Sequence, residues 1–321
     1  MRIPGLKTLN RYAWLVRSRL VKHGLILGYH RVNDLSWDPF RLAVSPEHFS
    51  QQLQILAKHT NVLSLDELTA ACTRGQIPPR SVAITFDDGY GDFMSIAKPL
   101  LKRTAFHSTL FVSTGYLGRE FWWDTLTRVV KSLNPSDALT LGADSSTFAW
   151  PSPAGVDRPD QRALLGALYR FLLPLETKER TRCLVQLAES AQSTASVGKR
   201  DLAFTESEIM ELAADDLVTI GCHTVTHPML AQLPVGQQRE EIIRSKQVLG
   251  ALTGQPVRGF SFPNGSTSAT SIDLVQECGF AYACASHKDI VWRNSNPFCL
   301  PRIWVPDCAG DSFLRLLRRW L

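Results

Sequence analysis

Asp87 and Asp88 stand side by side in Thr85-Phe86-Asp87-Asp88-Gly89-Tyr90, directly after the apolar run Ser81-Val82-Ala83-Ile84. That run reads as a buried strand. Two carboxylates at such a strand end raise each other's pKa, and a bound cation reverses the effect. Asp-Asp-Gly is also good turn chemistry, so the pair alone supports a plain turn equally well. The balance shifts at Ile220-Gly221-Cys222-His223-Thr224-Val225-Thr226-His227, where a second apolar run ends in glycine and two histidines follow, four residues apart. One helical turn, or a tight bend after a strand, brings both imidazoles to one point. Two neutral imidazoles and one carboxylate form a three-ligand site with one position left open, the pattern of a catalytic rather than a structural zinc. The seven cysteines contain no Cys-x-x-Cys pair, which argues for reduced thiols and against a cysteine-based zinc site. Cys222 neighbours His223, but in an alternating strand its side chain points the other way, toward packing.

These groups need elements to hold them. Gly24 to Val32 reads as a first strand. Ser45-Pro46 opens a helix through about His59, and Ser64-Leu65-Asp66-Glu67 is a capping box for a helix ending near Gly75. A helix over Phe93 to Arg103 and a strand over His107 to Ser113 follow. The alternation resumes at a second capping box, Thr205-Glu206-Ser207-Glu208. Beyond it, strands are expected at Leu217 to Ile220, Val257 to Phe262, Phe280 to Ala285 and Leu300 to Val305, with helices near 234–252 and 267–278. Such alternation implies parallel strands with outer helices, and catalytic residues at C-terminal strand ends suit a β/α barrel. Residues 117–204 interrupt it. Phe121-Trp122-Trp123-Asp124 begins a helix, Asn134 to Asp160 reads as loop, and two helices near Gln161–Leu173 and Thr177–Gln192 complete a helical insertion. The tryptophan pair suits burial better than substrate contact.

Taken together, the chain resembles the polysaccharide deacetylases, carbohydrate esterase family 4. Thr85 to Tyr90 looks like the first family motif, and His223-Thr224-Val225-Thr226-His227 like the second, the metal motif. Phe260-Ser261-Phe262-Pro263-Asn264-Gly265 looks like a variant of the third, which lines the active-site groove. The opening Gly28-Tyr29-His30-Arg31-Val32 and closing Leu300-Pro301-Arg302-Ile303 are similar to one branch of the family. The resemblance implies a distorted, incomplete (β/α) barrel over residues 24–310, with the insertion at about 117–204. It implies a divalent metal on Asp88, His223 and His227, zinc first, with cobalt or nickel as alternatives. Asp87 maps to the general base, and the backbone N–H of Asn264, beside Pro263, to the oxyanion donor. Two departures stand out. The usual arginine of the third motif is Ser261 here, and Arg302 is the preferred substitute over Arg258. The usual late Leu-x-His is missing, so His30, ahead of His287, is the expected general acid.

The expected activity is hydrolysis of an N-acyl group, chiefly N-acetyl, from an amino sugar in a polysaccharide or lipid-linked glycan, in envelope or exopolysaccharide synthesis. The alternatives are an inactive metal-binding carbohydrate module, and an O-acetyl esterase or sugar deformylase using the same site. With 44% hydrophobic and 20% charged residues the composition is that of a globular protein, and no run reaches the length of a membrane span. The N-terminus has no uninterrupted apolar core of a signal peptide. A cytoplasmic location is therefore expected. The net charge is only +5, yet Arg2, Lys7, Arg11, Arg17, Arg19, Lys22 and Arg31 all precede the first acidic residue, Asp34. A basic amphipathic segment over 1–23, and a short helix at 311–321 capped by Asp311-Ser312, suit peripheral contact with the inner face of the membrane. The competing reading is that they only cap the domain. Nucleic acid is not an expected partner, because no binding motif accompanies the charge.

Overall fold

Ser81–Phe86 and Ser108–Val112 are buried at every residue, and His23–Tyr29 at every residue but the first, as strands covered on both faces must be. The computed structural model describes residues 21–143, 146–151, 160–191 and 197–321. Its strands are β1 (His23–Tyr29), β2 (Arg31–Val32), β3 (Ala43–Val44), β4 (Asn61–Val62), β5 (Ser81–Phe86), β6 (Ser108–Val112), β7 (Leu139–Ala143), β8 (Ser146–Trp150), β9 (Val218–Cys222), β10 (Gly259–Ser261), β11 (Tyr282–Cys284), β12 (Val291–Trp292) and β13 (Ile303–Trp304). Its α-helices are α1 (Pro46–His59), α2 (Leu65–Thr73), α3 (Lys98–Thr104), α4 (Trp122–Ser132), α5 (Gln161–Leu172), α6 (Thr177–Ser190), α7 (Glu206–Ala213), α8 (Val235–Thr253), α9 (Ala269–Glu277) and α10 (Gly310–Leu317).

The main sheet runs β11-β10-β9-β6-β5-β1-β12, with β4 added to β5 and β13 to β1. Every pairing in it is parallel except β1 with β12. Helices cover the outside, and the sheet curls into an incomplete barrel. One irregular segment spans the gap between β11 and β1. Leu300 bridges to Cys284 of β11, while Ile303 and Trp304 pair with Leu27 and Gly28 of β1. Arg302 lies inside this seam and is fully buried. The C-terminal ends of β1, β5, β9 and β10 therefore open on one side, followed respectively by His30, Asp87-Asp88, His223 and Pro263-Asn264.

Ser45 caps α1 with Pro46 at its first position, and Ser64–Glu67 and Thr205–Glu208 form complete capping boxes on α2 and α7. Other segments depart from expectation. The Gly24–Val32 strand breaks at His30: Tyr29 O accepts from Asp87 N, whereas Arg31 N turns to Leu42 O, so β2 leaves the sheet to pair with β3. The Phe93–Arg103 helix opens as a wide π turn over Phe93–Ala97, and Pro99, which has no N–H to donate, sits at the start of α3. Asn134–Asp160 is not all loop, because Leu139–Ala143 and Ser146–Trp150 pair as an antiparallel hairpin, with Leu141, Phe148 and Trp150 turned inward. Those apolar residues alternate, which the nearby Pro, Ser and Gly obscured. The strands at β9, β10, β11 and β13 are two to five residues long.

Elements of the insertion gather around a separate apolar cluster of Phe121, Trp122, Leu126, Leu164, Leu168 and Leu187, apart from the barrel core. At the other end of the chain α10 starts at Gly310 after Ala309, earlier than an Asp311-Ser312 cap would set it. It packs Phe313 and Leu317 into the barrel core and leaves Arg315, Arg318 and Arg319 outside. The basic segment expected at 1–23 falls, for residues 1–20, outside the described residues. Among the described residues, no helix is long and apolar enough to cross a membrane.

Candidate active site

The bend between the two histidines is a built loop. Thr224 Oγ1 accepts from His227 N at 3.1 Å, closing a local turn. Glu241 of α8 accepts from Val225 N (2.8 Å), Thr226 N (2.9 Å) and Thr226 Oγ1 (2.7 Å), which ties the loop to the barrel's outer helix. Thr224 and His227 both hold left-handed φ values, 65° and 54°. Asp88 (φ 73°) and Asn264 (φ 54°) do the same. With Arg41 (φ 57°), five non-glycine residues in that sparsely populated region around one cleft mark stored strain that the surrounding packing must hold.

His223 Nδ1 lies 2.8 Å from the carbonyl of Ser261, which can only accept, so Nδ1 carries the proton and Nε2 presents its lone pair. Nε2 of His223 and of His227 stand 3.5 and 3.3 Å from Asp88 Oδ1. Burial lowers the His223 imidazole to about 4, with the nearby Asp87 carboxylate opposing it, so this ring is neutral at ordinary pH. Asp88 Oδ1 is buried with no hydrogen-bond partner, which a lone carboxylate oxygen does not tolerate. Two ligands of a tetrahedral ion at about 2.1 Å stand about 3.4 Å apart, the spacing seen here. Asp88, His223 and His227 are the one group of this kind among the described residues, and they fit a divalent metal. Cys222 points into the core, its thiol pushed up to about 12 by burial, and takes no part.

Asp87 faces the same point from the other side. Arg302 grips it with two parallel bonds, Nη1 to Oδ1 at 2.6 Å and Nη2 to Oδ2 at 2.7 Å. Ser261 Oγ donates to Asp87 Oδ2 (3.1 Å) and accepts from Arg302 Nη2 (2.8 Å). Burial pushes the Asp87 carboxyl up, but the Arg302 guanidinium, then His223, outweighs it and holds the group well below the usual carboxylate range. Arg258 sits on the surface, paired with Asp66 at 2.8 Å. Trp304 packs on both Arg302 (4.5 Å to the ring) and His30 (ring centroids 4.4 Å apart). A side chain at Gly28 would meet the Trp304 ring at 2.7 Å, so glycine there leaves room for this stack. The His30 pKa is lowered, first by burial, with the Asp88 and Asp87 carboxylates opposing. His287 is exposed and does not line the cleft.

The cleft, about 430 Å³, is lined by His30, Asp87, Asp88, His223, His227 and Asn264, and walled by Phe40, Trp123, Tyr169 and Trp304. Pro263 is buried behind Asn264, which is exposed. Trp123 is both core and wall: it is buried, yet its ring lies 4.7 Å from that of His227. Its Nε1 donates to Tyr90 Oη (2.7 Å), and Tyr90 donates to Asp124 Oδ2 (2.7 Å). Sequence reasoning missed Trp304, Glu241, Phe40, Arg41 and Tyr169. Only Trp304 left a signal, two residues from Arg302 on the same strand edge.

Comparison with known proteins shows the family. Residues 74–135 and 185–283, half of the chain, match the polysaccharide deacetylase family model. Poly-β-1,6-N-acetyl-D-glucosamine N-deacetylases of several Staphylococcus aureus strains are 20% identical over 309 residues, covering 92% of this chain and 82% of theirs. Among solved structures, the Streptococcus pyogenes deacetylase PplD, in complex with acetate, superposes with a TM-score of 0.61 at 20% identity, over 92% of this chain and 98% of that one. IcaB from Ammonifex degensii gives 0.61 at 19%, over 93% and 97%. The solved structures share the fold. With the family match, the chain belongs to the polysaccharide deacetylase family, whose members are metal-dependent hydrolases of carbon–nitrogen amide bonds.

Proposed function

We propose that the protein removes an N-acyl group, N-acetyl first, from an amino sugar of a polysaccharide or lipid-linked glycan, with zinc held by Asp88, His223 and His227. One observation carries the reading: a buried carboxylate, Asp87, is clamped in its ionised form by Arg302 beside a two-histidine, one-carboxylate ligand set, in an aromatic-walled cleft. The Staphylococcus relatives, named for poly-β-1,6-N-acetyl-D-glucosamine, support an N-acetylated glucosamine polymer as the substrate class.

When bound, the metal supplies Lewis acidity, which offsets the negative charge that develops as an amide carbonyl is attacked. Asp87 accepts the proton of the attacking water, a role for which its ionised state at all ordinary pH values prepares it. The Asn264 backbone, turned left-handed on the cleft wall, offers its N–H to the developing oxyanion; such donors contribute about 2.7–4 kcal/mol. His30, held flat against Trp304, delivers a proton to the departing nitrogen as the C–N bond breaks. Amine and carboxylate are the products. The aromatic walls give apolar faces to the sugar rings.

Acetate release from N-acetylglucosamine oligomers, with zinc supplied or chelated, tests the proposal, with O-acetylated sugars run in parallel. Metal-dependent release from the N-acetyl substrate is expected. Release from O-acetyl sugars alone identifies an esterase, and release from neither leaves the inactive carbohydrate module. The seven free thiols support a reducing compartment, and the outward Arg315, Arg318 and Arg319 support peripheral contact with an anionic membrane face. Both are part of the proposal, and together they favour a glycan assembled at the cytoplasmic side.

A further inference from the structure

Arg41 is exposed and lines the cleft, yet no carboxylate among the described residues pairs with it. The other charges of the cleft have counterparts. Asp87 is cancelled by Arg302. Asp88, with His223 and His227, would hold a divalent metal, whose positive charge the Asp88 carboxylate would offset in part. Arg41 is left as a cation with nothing opposite it. We propose that Arg41 reads a negative charge on the substrate, so that the cleft takes a glycan carrying a phosphate or carboxylate on, or next to, the N-acylated sugar. A guanidinium suits either group, because its parallel N–H donors match two oxygens of one anion.

The loop bearing Arg41 is held in place for this. Asp38 spends both carboxylate oxygens on the backbone, Oδ1 accepting from Leu42 N (3.0 Å) and Oδ2 from Ala43 N (2.8 Å). Arg41 N donates to Asp38 O at 3.3 Å, and Arg41 itself is left-handed, with φ 57°. Its neighbour Phe40 packs on Tyr169 of the insertion, ring centroids 4.9 Å apart, and Tyr169 stacks on Trp122 at 5.1 Å. A turn that costs backbone strain and is tied down from both sides fixes the point on the cleft rim from which the Arg41 side chain leaves the backbone. The other flank of the same loop is also cationic. Lys131, Lys199 and Arg200 line a groove there with Trp37, whose ring lies 5.9 Å from Lys131 Nζ. Of the two carboxylates in that groove, Asp34 and Asp201, the latter is engaged by Arg31 at 2.6 Å.

The inference rests on the deacylase reading for the identity of the sugar, but its test does not need turnover. Zinc-loaded protein and its Arg41→Gln variant are titrated calorimetrically with three unreactive, already deacylated ligands: glucosamine, glucosamine 1-phosphate and a glucuronosyl-glucosamine disaccharide. The native protein is expected to bind at least one anionic ligand tenfold or more tightly than glucosamine, and Arg41→Gln to erase that gap. The phosphate and uronate arms tell the two sources of charge apart. Equal binding of neutral and anionic ligands, or a gap that survives in Arg41→Gln because the anion sits on the metal, overturns the proposal. Acetate release is then measured on the N-acetylated forms. Arg41-dependent binding with no turnover would sink the deacylase reading and leave the anion site standing.

Discussion

Asp87 and Arg302 form one buried pair on which both stability and the proposed chemistry depend. With Arg302 fully buried, its removal would leave Asp87 as a buried charge without its ion-pair partner, holding only the Ser261 hydroxyl, at a cost of about 3–5 kcal/mol. Arg302→Met is therefore expected to lower the unfolding midpoint in denaturant. It should also act on the pH profile in a direction fixed by sign. Asp87 now has a pKa below its unfolded value, so its ionised form adds stability above pH ~4 that is lost only in strong acid. Without the guanidinium, burial dominates and the pKa rises. The base is then protonated at higher pH, and the acid limb of the kcat profile moves upward; an acid limb that stays in place would remove Arg302 from this role. Asp87→Asn should still bind a divalent metal, measured by metal analysis, and lose kcat by roughly 10²–10⁴-fold. The ligand candidates were legible in the sequence because two histidines four residues apart, with a carboxylate pair after another strand, suit a metal; Asp87 and Arg302 were picked out by the family resemblance. Ser261 was legible only as a missing arginine. That its hydroxyl bonds both Asp87 and Arg302, and its carbonyl fixes the His223 tautomer, depends on β10 lying beside β9, which no local signal encodes.

Elements decide whether those residues meet. Glu241 holds the His223–His227 loop through three hydrogen bonds, and it acts through the loop rather than on the metal. Glu241→Ala is expected to weaken zinc affinity about 10–100-fold in a competition titration, with kcat restored at saturating metal and Glu241→Gln recovering part of the affinity. An unchanged affinity would show that the bend holds itself. The Trp123–Tyr90–Asp124 chain supports the cleft wall in the same indirect way. Burial pushes the Asp124 carboxyl up to about 7, so the folded protein keeps it protonated where the unfolded chain has lost the proton. Its contribution is whole below pH ~4 and declines as pH rises toward 7. Asp124→Asn, which never ionises, should therefore gain stability relative to the native protein between pH 4 and 7, by up to a few kcal/mol, read from denaturation midpoints. The capping boxes of α2 and α7 were plain in the sequence because their signal is local. The β7–β8 hairpin and the early end of β1 were not, since the first is set by packing on the insertion and the second by where Asp87 N finds its acceptor.

At the scale of the whole molecule, the barrel closes through one irregular segment, and that is why the charge balance of the interior can be shifted by a single arginine reaching in from the seam. The alternation of strands and helices made the barrel readable; the closure was not, because Leu300 and Ile303 pair with opposite edges of the sheet within three residues. The exterior carries the remaining question of place. The apolar side of α10 is used against the core, so it is not free to insert into a bilayer, and the exposed charges there are Asp311, Arg315, Arg318 and Arg319, two positive charges in excess. In the sequence six further cations, Arg2, Lys7, Arg11, Arg17, Arg19 and Lys22, precede the first carboxylate, whereas Arg31 is buried and paired with Asp92 and Asp201. A contact made by charge alone has a defined signature: each cation near an anionic surface contributes about 1 kcal/mol, and salt removes it. The protein is expected to sediment with phosphatidylglycerol-containing vesicles at low salt and to leave them at high salt. Exchanging Arg315, Arg318 and Arg319 for Gln should lower the retained fraction without changing acetate release from a soluble oligomer. Failure to sediment at low salt would place the substrate in solution. Binding that resists high salt would instead require apolar insertion, for which the apolar side of α10 is not free.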